Sequence, residues 1–422
     1  MSCLNLQRDS EVFFSTVDLV NGGAVTSMTP SNTWKLEVLA GFAVTSSAET
    51  QDITSMESGT NPDRSQKRFN TAINPVDWNL QVYLRPTGAI TGAAAGTSGA
   101  GTTATGNAKP IADWFMWQAM VSNTACSDGT DEQSVWSQGT LFTTNVAAST
   151  GAHASRTNFT TAAEYQMYFK LGNVFYQVAN STVNQATVDA GIDEIATVTW
   201  TGFGTTLKEL EDASRDNAVS VFGGVLNNGT TVTANSNVVA FDSVAAYHPF
   251  NQMNVAAGIG TNSFIKNRLS TIEFHHATSE GGADVTYTFP VTELSFEYNN
   301  NITYVTPEEL ATLNAPIGQF TGTRAVTGSA TMYLRSGDTQ SAQFLRNIAN
   351  DARTSSSSTA NANLIIGGTT APYVAFQLDA VQFEFPQLAI EDVISMSVNF
   401  VAQEPGDGCG QGGEVTIIAA KS

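Results

Sequence analysis

Four histidines, three cysteines and a few carboxylate clusters are the groups in this chain that could do chemistry. The histidines are His153, His248, His275 and His276. Zinc hydrolysis needs two imidazoles on one helix face, as in H-E-x-x-H, and serine hydrolysis needs an exposed nucleophile, as in G-x-S-x-G. The sequence has neither pattern. His275 and His276 end a strand-like run, where adjacent rings point to opposite faces and share a metal poorly. Gly408 to Gly413 (GCGQGG) has dinucleotide-loop spacing, but that loop must open a helix with an acidic residue some way beyond. The sequence runs only to Ser422, so the segment reads as a turn or tail. Asp128, Asp131 and Glu132 lack the spacing of a calcium loop and read as a solvated acidic turn. Asn158-Phe-Thr and Asn301-Ile-Thr match glycosylation sequons, which carry no meaning without a secretory signal. Cys3, Cys126 and Cys409 are too few for a disulfide framework and fit no metal site. Cys3 and Cys409, near the two ends, could instead cross-link neighbouring subunits. No catalytic, metal or cofactor constellation emerges, and the chain reads as a non-enzyme that needs no cofactor.

Charge narrows the field further. The formal charge is −20 over 422 residues, with only 13% of residues charged and 41% hydrophobic. That is a globular chain whose polar surface is mostly Thr, Ser and Asn. A strongly acidic protein does not hold nucleic acid tightly, because phosphate contacts need Lys and Arg. Arg64, Lys67 and Arg68 form the one local basic cluster, without the interleaved aromatics of a single-strand platform. It reads as a solvated loop or as a dock for an acidic neighbouring subunit. No apolar run approaches the ~18 residues of a membrane span, so no membrane insertion is expected. The N-terminus has no basic flank plus apolar core, so no signal peptide is visible.

The elements that position these groups are mainly strands. Trp78, Leu80, Val82 and Leu84 alternate with Asp77, Asn79, Gln81 and Tyr83, which predicts a half-buried antiparallel strand. Val198 and Trp200 alternate with Thr197, Thr199 and Thr201. Ala330, Met332 and Leu334 alternate with Ser329, Thr331 and Tyr333. Met396, Val398 and Phe400 alternate with Ser395, Ser397 and Asn399. Two helices are expected. One opens at Pro110 and carries Ile111, Trp114, Trp117, Met120 and Val121; the other is capped by Asp338 and carries Ala342, Leu345, Ile348 and Ala349. Long irregular stretches are expected at 46–74 and 306–328, and a low-complexity surface loop at 86–109.

The same unit also occurs twice along the chain. Asn79 to Arg85 (NLQVYLR) and Ser329 to Arg335 (SATMYLR) both end in Tyr-Leu-Arg. Phe169-Lys-Leu and Phe376-Gln-Leu open later strands, and Ala196 to Gly202 and Met396 to Ala402 close the two units. The matches pair Leu36 with Leu294, Tyr83 with Tyr333, Phe169 with Phe376 and Trp200 with Phe400. The first copy is the longer, mostly between Arg85 and Phe169. These matches predict a first domain at 1–205 with insertions at 86–109 and 123–163, a connecting segment at 206–261, and a second domain at 262–422. The fold class is mainly β with an α+β flavour: two tandem antiparallel sandwiches or barrels, each with one packed helix.

Gln319 to Arg335 (QFTGTRAVTGSATMYLR) and Glu391 to Gln403 (EDVISMSVNFVAQ) resemble the middle and C-terminal strands of the tail tube proteins of long-tailed bacteriophages. The order of elements in both halves resembles that family in outline; the long insertions between Arg85 and Phe169 depart from it. The resemblance implies a β-sandwich whose sheet joins its neighbours in a continuous inner barrel. It implies rings stacked into a hollow tube through which DNA leaves, with the long loop after the first strands reaching the adjacent ring. Most members form six-membered rings from single domains, so a duplicated chain would make the same ring from three copies. The expected partners are other copies of the chain, other tail proteins, and DNA in passing. The expected place is the virion, after synthesis in the host cytoplasm. From alternation, Asp77, Asn79, Gln81, Thr197, Thr199, Ser329, Thr331, Ser395, Ser397 and Asn399 are expected to face the lumen. Arg64, Lys67 and Arg68 fall in the expected inter-ring loop. A surface or secreted β-sandwich adhesin shares the Thr/Asn-rich strands and low charge but should carry an export signal. A β-sandwich hydrolase would need paired carboxylates or a histidine-centred cleft.

Overall fold

The computed structural model describes residues 10–15, 33–53, 67–86, 111, 113–120, 140–143, 164–171, 174–210, 224–225, 231–232, 264–276, 285–307, 314–354, 360–368, 372–390, 392–403 and 415–420. His153, His248, the three cysteines, Asp128–Glu132, Gly408–Gly413 and Arg64 lie outside them. The first half runs β1 Ser10–Ser15, β2 Thr33–Leu36, β3 Ala43–Thr45, β4 Ala48–Ile53, β5 Lys67–Ile73, β6 Val76–Tyr83, α1 Trp114–Met120, β7 Thr140–Thr143, β8 Tyr165–Leu171, β9 Val174–Gly191, β10 Thr197–Gly204 and β11 Thr206–Leu210. A small hairpin, β12 Gly224–Val225 and β13 Thr231–Val232, follows. The second half runs β14 Thr271–His276, β15 Val285–Pro290, β16 Glu293–Asn299, β17 Ile302–Val305, β18 Gly318–Thr321, β19 Ala325–Tyr333, α2 Ser341–Thr354, β20 Ala360–Ile366, β21 Tyr373–Phe383, β22 Gln387–Ala389, β23 Ser395–Ala402 and β24 Thr416–Ala420. The fold is mainly β, and every strand pair among the described residues is antiparallel.

Each half has a front sheet and a back sheet. In the first half the front order is β3–β6–β10–β9 and the back order β2–β1–β8–β9–β11. In the second half the front order is β16–β19–β23, with β21 and β22 beside β23, and the back order is β15–β14–β20–β21–β24. The same pairing pattern therefore occurs twice. β9 is long enough to serve both layers: its start lies in the back sheet and its end in the front sheet. The switch falls near Asn180, at φ 47°, and a register shift opposite Thr201 and Gly202. A bulge bends the strand there, and Asn tolerates the left-handed backbone. β11, placed by sequence in the connecting segment, continues the first back sheet. β7, from the 123–163 insertion, pairs with β24 of the second half.

The alternation explains why these segments are strands and what they bury. Trp78, Leu80, Val82, Val198, Trp200, Leu294, Phe296, Tyr298, Ala330, Met332, Met396, Val398 and Phe400 all point into one continuous core. Burying a large side chain of this kind contributes roughly 1.5–3 kcal/mol. α1 lies between the halves. Trp117 packs edge-on to Trp200 at 4.8 Å and against Phe376 of the second half at 5.7 Å. Asn300 Nδ2 donates to the terminal Met120 carbonyl at 3.2 Å, satisfying a helix-end acceptor. α2 packs Phe344 face to face on Phe274 at 4.8 Å, and Asn347 Nδ2 donates to Tyr287 Oη at 2.6 Å.

Further expectations change. Asp338 is exposed and is not the cap of α2. The helix starts later because the Gln340 carbonyl takes the Gln343 and Phe344 N–H groups, while Gln343 Oε1 accepts the Thr339 N–H. The stretches at 46–74 and 306–328 are not wholly irregular: they hold the hairpins β4–β5 and, with β17, β17–β18. The two hairpins touch where Ile73 N donates to the Asn314 carbonyl. Finally, Phe169 and Phe376 sit on strands with different partners. Phe169 faces Val12 and Tyr176, whereas Phe376 faces Leu364 and Ile417. By pairing, Phe169 matches Leu364 and Tyr176 matches Phe376.

Candidate functional site

The front sheets of the two halves are joined. β9 pairs with β16 over seven residues, from Glu293 opposite Gly191 to Asn299 opposite Gln185. The seam makes one surface across β6, β10, β9, β16, β19 and β23. Because side chains alternate, every residue on one parity shares a face. One row crosses all six strands as Gln81, Thr199, Thr187, Glu297, Thr327 and Val401. The next runs Tyr83, Thr197, Asp189, Ser295, Ser329 and Asn399.

All ten residues expected to face a lumen lie on this face. Asp77, Asn79 and Gln81 are on β6, Thr197 and Thr199 on β10, Ser329 and Thr331 on β19, and Ser395, Ser397 and Asn399 on β23. None is buried. Hydrogen bonds tie neighbours together: Gln81 Nε2 donates to Thr197 Oγ1 at 3.2 Å, and Asn399 Nδ2 donates to Glu384 Oε2 at 3.0 Å. Sequence reasoning missed the middle of the face. Gln185, Thr187 and Asp189 of β9 and Glu293, Ser295, Glu297 and Asn299 of β16 complete it. Their alternation with the buried Ala186, Val188, Leu294, Phe296 and Tyr298 was the available signal. Ser295 Oγ donates to Asp189 Oδ1 at 2.9 Å across the seam.

The charges in these rows are of one sign. Asp77, Asp189, Glu293 and Glu297 are carboxylates, and no Lys or Arg occupies the rows. Partial burial raises the Asp77 carboxyl above its ordinary value. Such a surface repels phosphate and offers it no cationic contact. Among the described residues there is no cluster of His, Cys, Asp and Glu that could hold a metal. His275 is exposed and shares a hydrogen bond with Thr286 Oγ1 at 2.9 Å.

The sheet has two exposed ends. β3 lies at one end and β22 at the other, and the flanking residues Ala43, Thr45, Gln387, Leu388 and Ala389 are all exposed. Of the basic cluster, Lys67 and Arg68 lie on β5 rather than in a loop. Arg68 grips Asp52 of β4 with two hydrogen bonds, of 2.5 and 3.1 Å, and is exposed.

A buried carboxyl sits behind the face. Asp113 precedes α1 and accepts the Trp200 indole N–H at 2.9 Å. Burial pushes its pKa up to about 7, against its own backbone hydrogen bond, the Trp200 N–H and the Arg85 charge, which lower it. Arg85, from the first Tyr-Leu-Arg, is buried and pairs with Glu37. Arg335, from the second, is exposed.

Residues 269–402 match the family model of the phage tail tube protein. The chain is 24% identical over 411 residues to tail tube protein pb6 of Escherichia phage T5, covering 94% of this chain and 72% of that protein. A chain in the six-fold symmetrised cryo-electron microscopy structure of the anti-feeding prophage baseplate aligns at 10% identity and a TM-score of 0.24. It covers 36% of this chain and 94% of its own length, a likeness too slight to fix even the fold. The family match thus lies within the second half, and the similarity to a tail tube protein extends over nearly the whole length of the chain.

Proposed function

We propose that this chain is a duplicated tube subunit, three copies of which close a ring whose stacking builds the tail tube that conducts DNA. The observation that carries this reading is the polar, carboxylate-bearing face that runs unbroken across the β9–β16 seam. A wall of Thr, Ser, Asn and Gln with acidic points stays wet and gives DNA nothing to grip. The expected lumen residues, from Asp77 to Asn399, fill this role together with Thr187, Asp189, Ser295 and Glu297.

Ring closure follows from repeating the internal seam. Thr197 faces Asp189, which faces Ser295; Ser395 faces Ala389. Ser295 faces Ser329, as Ala43 faces Asn79. Carrying the first relation onto the second puts Ala389 of one copy opposite Ala43 of the next, and Gln387 opposite Thr45. Pairing would bury two exposed strand edges that otherwise invite aggregation. Stacking is supported by the hairpins, which leave from the Asn299 end of the face with Phe69, Ile317 and Phe320 exposed. These hairpins, with Lys67 and Arg68, would reach the adjacent ring.

The test is a full-length Ala43→Cys/Ala389→Cys variant with Cys3, Cys126 and Cys409 replaced by serine. Opposed strand residues have Cβ atoms about 4.5–5.5 Å apart, near disulfide reach. Oxidised assemblies should run as dimers and trimers on non-reducing gels. Assemblies that stay monomeric on the gel would contradict the seam.

A further inference from the structure

We propose that residues 4–9 of one copy dock on the rim of a second copy's front sheet, filling a pocket at Tyr333, Ile390 and Val393. The proposal rests on the ring described above and adds a second, side-chain contact to its strand pairing.

The template lies within the chain. The segment that precedes β14 crosses onto the first half at the end of the seam. There Phe264 packs edge-on to Tyr83 at 5.5 Å and lies over the Arg85 guanidinium at 5.3 Å. Asn267 Nδ2 donates to the Gly191 carbonyl at 3.0 Å, and Arg268 Nη2 donates to Asp193 Oδ1 at 2.7 Å. An aromatic, an amide and a guanidinium thus fasten the second half to the rim of the first.

The pairing pattern says what occupies the same place elsewhere. Val12 faces Phe169 on β8 as Ile272 faces Leu364 on β20, and Phe14 and Phe274 are both buried two residues on. Ser10 therefore takes the position of Ser270. Counting back along the sequence, Leu4 corresponds to Phe264, Gln7 to Asn267 and Arg8 to Arg268. The chemistry is kept at each step: apolar, amide, guanidinium.

The receiving rim is also repeated. Tyr83 faces Thr197 across the strands as Tyr333 faces Ser395, and the turn Ile192-Asp-Glu-Ile matches Ile390-Glu-Asp-Val. In the second half no described residue takes the place of Phe264 on this rim. A pocket of about 760 Å³ is lined by Thr331, Tyr333, Ile390, Asp392, Val393 and Ser395. Tyr333 is 47% exposed, Ile390 80% and Val393 60%. Arg335 is exposed where its counterpart Arg85 is covered by Phe264. Residues 1–9 lie outside the described residues, and the neighbour that supplies them is the copy whose β3 would pair with β22. Arg8 would meet Asp392.

Two measurements on the full chain decide this. In a variant with the three native cysteines replaced by serine, Leu4→Cys with Tyr333→Cys should give intermolecular disulfides in assembled material. Monomers only, or a disulfide within one chain, would overturn the proposal if the Ala43→Cys/Ala389→Cys pair cross-links in parallel. If neither pair cross-links, the ring reading fails and this contact with it. Separately, Arg8→Glu should raise the protein concentration needed for assembly about tenfold, as loss of one charge-assisted contact gives. Asp392→Lys should bring that threshold back. An Arg8→Glu variant that assembles at the original threshold contradicts the contact.

Discussion

Trp78 and Gly202 face each other across β6 and β10; at the matching place in the second half stand Gly328 and Phe400. Each half seats one large ring against one glycine, but the ring has changed strands. A Cβ on Gly202 would collide with the Trp78 ring and the Thr182 carbonyl, and one on Gly328 would collide with the Phe400 ring. Volume is conserved across the pair rather than at either position, as a close-packed core requires. This explains why the two halves match poorly position by position. The sequence comparison aligned Trp200 with Phe400, whereas pairing aligns Trp200 with Val398 and Phe400 with Gly202.

The sharpest way to break the comparison is at these glycines. Gly202→Ala should be the more damaging, costing upwards of about 4 kcal/mol or preventing folding, because backbone as well as a ring blocks the new methyl. Gly328→Ala meets only a side chain and should cost less, and Phe400→Leu in the same chain should recover part of the loss. Trp78→Leu should not rescue Gly202→Ala. Denaturant midpoints of the four variants check this ordering.

The helices give the second contrast. α1 begins beside a buried carboxyl, Asp113, whereas α2 is held by the neutral Asn347–Tyr287 hydrogen bond. The Asp113 pKa is raised from 3.8 to about 7 on folding, so the folded state binds the extra proton between these values. Its contribution is fully present below the unfolded pKa and is lost as pH rises through about 7. Stability should therefore fall by up to about 1.4 kcal/mol per pH unit over that window from this group. Asp113→Asn keeps an acceptor for Trp200 and should flatten the dependence, gaining stability relative to the original chain at pH 8. An unchanged pH profile would sink the assignment.

The smallest expected effect on stability is on the polar face. Asp189→Lys with Glu297→Lys changes exposed or half-exposed positions and should alter chain stability little, within about 0.5 kcal/mol per site. Assembled material should then retain DNA at low salt and release it as salt rises, which the unaltered chain should not do.

Much of this was readable beforehand. The strands carrying Trp78 to Leu84 and Met396 to Phe400 alternate cleanly, so their faces followed from period two alone. What escaped was set by long-range pairing. That β9 and β16 would join the halves depends on a seam between residues over a hundred positions apart, which no local pattern encodes. The hairpins β4–β5 and β17–β18 were hidden because short exposed strands carry little apolar alternation. Asp338 was a chemically sound cap, overruled by the path of the chain into α2.

The most direct test of the central claim is electron microscopy of the assembled protein with mass measurement of a single ring. Three chains per ring, with six similar lobes around a hollow centre, are what the joined front sheets predict. Rings of six chains, or solid fibres without a lumen, would contradict it.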